Sequence, residues 1–127
     1  MALPTGLRAF LEHTVTEADT AAAVGSGDVM VLATPRLLAL AEAAAVRALA
    51  GLLEPGQTSV GTRVQLEHRR AVPVGATVSV QAHLADVADR TLRFEVLAED
   101  GGGELVGHGQ LTRVVVDRER FAAGAGG

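Results

Sequence analysis

Three residues of this 127-residue chain are of types that together can cleave an activated acyl bond: Thr34, Glu42 eight positions on, and His68 a further 26 along. A carboxylate can attack a carbonyl carbon or take a proton from water, and an imidazole carries protons near neutral pH. A hydroxyl can hydrogen-bond the reacting oxygen. The stretch "ATPRLLALAEAAAVRALAGLL", residues 33–53, reads as a helix opened by Thr34-Pro35. A helix start presents free N–H groups and positive potential to an oxygen that becomes negative. Pro35 removes one donor, leaving the amides of Arg36 and Leu37 as candidates. The set suits acyl transfer or hydrolysis. Each member also has a plain reading: Thr34 as the helix N-cap, Glu42 as an edge residue reaching into water, His68 as a hydrogen-bonded structural imidazole.

The elements that must bring these groups together can be read from periodicity. Residues 7–20 read as a strand running into a turn, and 24–32 as a loop or short weak helix. The helix should run from Pro35, with Thr34 as its cap, to about Leu53, stopping at Glu54-Pro55-Gly56. At about 100° per residue, Arg36, Arg47 and Glu54 form a solvent stripe, opposite Leu38, Ala41, Ala45, Leu49 and Leu52. Glu42 falls on the apolar flank, where a partnerless buried carboxylate would cost several kcal/mol and have a raised pKa.

Four strand signals follow. In "SVGTRVQLEHRR" (59–70), strict alternation puts Val60, Thr62, Val64, Leu66 and His68 on one face, so His68 points to the helix layer. In 76–85 the apolar set is Ala76, Val78, Val80, Ala82 and Leu84; in 91–100 it is Leu92, Phe94 and Val96. Gly101-Gly102-Gly103 turns into a last strand over 104–116. One strand, a long apolar helix and four antiparallel strands pack best with the curved sheet wrapped around the helix. We therefore expect an α+β chain with the layout of the hotdog fold: one domain over residues 1–120, about five strands, and a flexible Gly/Ala tail at 121–127. A doubly wound α/β fold would need more helices.

Composition excludes other classes. The chain has no Cys, hence no disulfide or thiolate metal site, and its four His lack metal-ligand spacing. All eleven basic residues are Arg, which excludes P-loop and Schiff-base lysines. A net charge of −4 and only three Phe, with no Trp or Tyr, give no footing for nucleic acid. No apolar stretch resembles a signal peptide or a membrane span, so a soluble cytoplasmic location is expected.

The span from "VLATPRLLALAEAAAVRAL" through "EPGQTSVGTRVQLEHRRAVPVGATVSVQAHL" resembles the fluoroacetyl-CoA thioesterase group of hotdog acyl-CoA thioesterases. The resemblance covers roughly residues 29–116. It implies that Thr34, Glu42 and His68 are the catalytic set, that Gly61 in "VGT" is a pocket glycine past which the acyl group approaches the backbone, and that Arg113 matches an Arg on the last strand. It also implies hydrolysis of an acyl-CoA to free acid and CoA, with no cofactor beyond the CoA carried by the substrate. The family bears aromatic lid residues before the helix; here "AVGSGDVMV" has no Phe, which implies a different or broader acyl preference. A small pocket with Gly61 and Met30 nearby suggests a short acyl chain. Arg69 and Arg70 are placed either to meet CoA phosphates or to sit as a solvated pair. Such folds work as homodimers, sometimes tetramers, with the pocket between protomers. Two other readings are a non-catalytic acyl-thioester binding or scaffold module and a hotdog hydratase or dehydratase. "SGDVMVLATP" lacks the His that the latter needs.

Overall fold

The structure, a computed structural model, describes residues 3–124. Strand β1 (Arg8–Thr14) leads through a 3-10 turn (Glu17–Asp19) and a short helix α1 (Ala21–Val24) to the main helix α2 (Thr34–Ala48). Strands β2 (Gln57–His68), β3 (Thr77–Ala88), β4 (Thr91–Asp100) and β5 (Leu105–Asp117) follow, then a last helix α3 (Arg118–Gly124). The strands form one antiparallel sheet in the order β1-β3-β4-β5-β2. This is the expected α+β hotdog architecture of a curved sheet around one helix.

The core lies between α2 and the inner face of the sheet. On β3 and β4, Val78, Val80, Ala82, Leu84, Leu92, Phe94 and Val96 are buried as read, Ala98 joins them, and Ala76, only half-buried, lies just before β3. Fully burying a side chain such as Leu92 or Phe94 contributes about 2–3 kcal/mol. The helix meets them with Leu37, Leu40, Ala41, Ala44, Ala45 and Ala48, spaced three and four apart. Four alanines in that stripe let the helix axis approach the sheet closely. The stripe is rotated from the one read in the sequence, and Leu38 is only half-buried.

Three boundaries differ, each for a local reason. The N-cap of α2 is Ala33 and not Thr34, which lies inside the first turn with Pro35 behind it. The helix ends at Ala48, capped by Leu49, because Gly51 adopts φ 75°, a left-handed conformation that stops it before the apolar Leu52 and Leu53. The tail expected to be flexible from residue 121 is helical as far as Gly124, and residues 125–127 lie outside the described residues.

Strand β2 carries the feature that alternation could not reveal. Gly61 pairs with Arg113 while Arg63 pairs with Thr112, so Thr62 is an extra, unpaired residue in a β-bulge. Cross-strand partners share a face. Ser59 and Gly61 therefore share the inner face with buried Val115 and Arg113, and beyond the bulge Val64, opposite buried Leu111, and Leu66 and His68 take over that face. The strict alternation read for β2 thus fails before Thr62. The bulge lets an odd-numbered glycine and an even-numbered histidine both face α2.

Candidate active site

The first turn of α2 and the end of β2 meet at one hydrogen bond: the Thr34 hydroxyl lies 2.8 Å from Nδ1 of His68. Because Ala33 is the cap, the Thr34 hydroxyl is not consumed by the helix and is available to the imidazole. Burial lowers the His68 pKa, partly offset by a hydrogen bond at Arg70, so the neutral ring prevails at neutral pH. A neutral imidazole has one donor and one acceptor nitrogen. Nε2 is buried without a partner among the described residues. It is the ring atom left for a reacting group.

The amides at this helix start are partly spoken for. Leu37 N–H donates to Ala33 O at 3.0 Å, closing the first turn, so it is not the free donor expected from the sequence. Thr34 and Arg36 amides have no acceptor among the described residues. The Arg36 side chain turns away from the site to Asp19 Oδ1 at 2.8 Å. A cavity of about 330 Å³ opens here, bounded by Thr34, His68 and Arg69 on one side and by Ala21, Val29 and Leu32 on another. Met30 is 53% exposed and lies outside that lining. A larger concavity, about 480 Å³, sits on the outer face of the sheet around His83, Glu95 and Gln110, without a hydroxyl–imidazole pair. Chemistry selects the smaller cavity.

Glu42 occupies a second cluster. Its Oε2 accepts from Arg113 Nη1 at 3.1 Å, and Arg113 also donates from Nε to Ser59 Oγ and from Nη2 to Ser59 O, both at 2.9 Å. Arg113 is 7% exposed, so its charge needs these partners. The Glu42 side chain keeps 37% exposure, a carboxylate fixed on one side and open on the other. Gly61 is the reason there is room for it: a Cβ at that position would sit 2.6 Å from Glu42 Oε2. Arg113 is therefore the partner of Glu42, not a free cation awaiting a ligand.

Within one chain, Thr34, Glu42 and His68 thus fall into two clusters and not one triad. No hydrogen bond joins Glu42 to His68. Eight residues of helix separate Thr34 from Glu42 by about 12 Å along the axis. Arg69 is held by exposed Glu67 and Arg70 by half-buried Asp100, each at 2.9 Å. Ser59 and the buried Asp19 were not singled out in the sequence. Asp19 had a signal, since Thr16-Glu17-Ala18-Asp19 has capping-box spacing. Ser59 had none. Among the described residues no group of three or more His, Cys, Asp or Glu is placed to hold a metal, and no helix is long and apolar enough to cross a membrane.

Residues 15–119 match the family described as FlK, fluoroacetyl-CoA-specific thioesterase. The chain belongs to that family. It is 44% identical over 93 residues to the fluoroacetyl-CoA thioesterase of Streptantibioticus cattleyicolor, a match covering 73% of this chain and 66% of that protein, about two thirds of its length. It is similar to a solved structure of a point mutant of FlK in complex with acetyl-CoA, with TM-score 0.89, 34% identity and 95% of each chain covered. A Thermus thermophilus hypothetical protein described as a thioesterase superfamily member superimposes with TM-score 0.89 at 26% identity, covering 96% of this chain and 90% of that one. In the structure Thr34 and Glu42 lie on α2, and His68 meets its first turn.

Proposed function

We propose that this chain hydrolyses a short-chain acyl-CoA thioester: acyl-CoA and water give the carboxylic acid and CoA. The reading rests above all on the 2.8 Å pair between the Thr34 hydroxyl and His68 Nδ1 at a cavity beside free helix-start amides. Those of Thr34 and Arg36 would receive the oxyanion that forms when the thioester carbonyl is attacked. Glu42, fixed by Arg113 and Ser59, would either attack the carbonyl carbon or take the proton from water. His68, neutral before reaction, would orient the thioester or relay a proton to the departing sulfur, and the proton that water loses, either to Glu42 or in hydrolysis of an acyl-Glu42 intermediate, is the one the thiolate gains.

The acyl preference we infer is broader than fluoroacetyl. Residues 25–30 before α2 are Gly, Ser, Gly, Asp, Val and Met, and the cavity wall there is Ser26, Gly27 and Val29, with no ring to close over a small acyl group. We further propose a homodimer with the pocket between protomers. Among the described residues the outer edge of β2 is unpaired, and Gly61 through Gln65 are exposed on it. An antiparallel pairing of two β2 edges about a two-fold near Val64 would carry the Glu42–Arg113 cluster of one copy to the Thr34–His68 pair of the other. The cytoplasm, where CoA thioesters are made and used, is the compartment this reading implies.

The test is CoA release, followed with a thiol reagent across a panel of acyl-CoAs. Release from several short acyl groups, lost in Thr34→Ala, Glu42→Ala and His68→Ala, is the expected result. Tight acyl-CoA binding without release would instead support a non-catalytic binding module, a reading to which the Glu42–Arg113–Ser59 clamp would be purely structural.

A further inference from the structure

Asp19 is the most enclosed acid among the described residues, 4% exposed, and the chemistry above does not use it. Its side chain gathers donors from three elements. Oδ2 accepts from His13 Nε2 on β1 at 2.7 Å, from the Thr16 amide at 2.8 Å and from the Thr16 hydroxyl at 3.0 Å. Oδ1 accepts from Arg36 Nε on α2 at 2.8 Å. Its backbone carbonyl accepts the Ala33 amide at 2.9 Å. Burial alone would push the Asp19 carboxyl up; hydrogen bonds from Thr16, His13 and Arg36 overcome it and carry the pKa well below the usual carboxylate range.

The helix it touches lacks a cap of its own. Ala33 has no side chain for the task, and Thr34, the hydroxyl that could have served, is turned to His68. A helix start without such partners frays. Asp19 therefore reaches the first turn of α2 twice, through Ala33 N–H and through the Arg36 guanidinium. That second contact matters for charge as well as shape. An unpaired anion beside the helix start would compete with a developing oxyanion for the same positive potential. Arg36 neutralises it.

We propose that Asp19 is a positioning residue for hydrolysis, an outside clamp that holds the first turn of α2 so that Thr34 and the free amides stay aligned. The proposal rests on the Thr34–His68 reading of the site. In Asp19→Asn, one oxygen can still serve Thr16, while the new NH₂ faces the Arg36 donor and severs that contact. The expected result is a kcat about tenfold lower with KM changed less than twofold. Arg36→Gln should lower kcat to the same degree, and the double variant should be no worse than either alone. His13→Gln, which removes a partner on the far side of Asp19, serves as the stability control. Hydrogen exchange gives a readout independent of turnover: Asp19→Asn should speed exchange of the Ala33 and Leu37 amides and leave those of β3 and β4 unchanged. Effects on kcat that simply track melting temperature in all variants, or that add in the double variant, overturn the proposal. Unchanged exchange at Ala33 does so as well. Should wild type be inert toward every thioester, or Thr34→Ala remain fully active, the site reading fails, and the exchange measurement alone then decides whether Asp19 clamps the helix.

Discussion

At Gly61 a single missing methyl decides where a carboxylate sits. A Cβ there would meet Glu42 Oε2, the far end of a flexible side chain, so the fold can yield while the carboxylate moves. Displacements of about 1 Å in a positioned reactive group cost on the order of 100-fold. Gly61→Ala is expected to melt within a few degrees of wild type and lose about 100-fold in kcat for CoA release; an unchanged kcat would detach Glu42 from the chemistry. His68 makes a second prediction. Burial lowers its pKa, so the acid limb of kcat/KM should fall below about 6.5, the ordinary imidazole value. The same shift links to stability: below that value the unfolded chain binds a proton that the folded chain resists. Stability from this group is complete above about 6.5 and declines as pH falls toward the folded pKa. Urea midpoints at pH 7 and 5.5, compared between wild type and His68→Gln, measure it. At this scale residue identity was legible and residue duty was not. Thr34 is recognisable as reactive, yet Thr-Pro at a helix start also signals a cap, and only the backbone of Ala33 shows that the hydroxyl is spared.

Among the elements, β4 runs from Thr91 to Asp100 as its alternation indicates, because every second residue is buried and a glycine turn closes its end. Strand β2 was misread at its centre, because a bulge leaves no mark in a period-two pattern; Thr62 is an ordinary strand residue. The helix stripe was rotated because alanines weigh little in an apolar count, although Ala44 and Ala45 are wholly enclosed. Close approach between β2 and β5 also depends on glycine: a Cβ on Gly109 would lie 2.0 Å from Gln65 O, a backbone atom that cannot swing aside. Gly109→Ala is expected to push the strands apart and cost about 3 kcal/mol, read as a lowered urea midpoint. Because β2 carries both Gly61 and His68, its displacement should reduce CoA release as well, whereas a loss of stability with full turnover would mean that the strand does not position the site.

Over the whole molecule, one cluster lies at the start of α2 and the other near the middle of the helix, and no hydrogen bond within one copy of the chain joins them. If two copies complete each other, inactive partners should rescue one another. Mixing Thr34→Ala with Glu42→Ala chains, after subunit exchange, should restore about a quarter of wild-type activity, since half the dimers are mixed and each holds one intact site. No recovery would place all the chemistry within one protomer. Neither the two-cluster arrangement nor the bare edge was legible in the sequence, because both arise from strand order: nothing in a chain read from end to end says that β2, second in sequence, ends up outermost.

That outermost strand bears on how the chain would behave in dilute solution. If the proposed dimer shares its reactive groups across a seam, turnover per chain should decline as the copies dissociate, and initial rates would curve upward with protein concentration instead of rising in proportion. A thioester lodged across the seam touches both halves and favours the associated form. Saturating substrate should therefore straighten that curve, making the acyl-CoA a tether for the very assembly that consumes it.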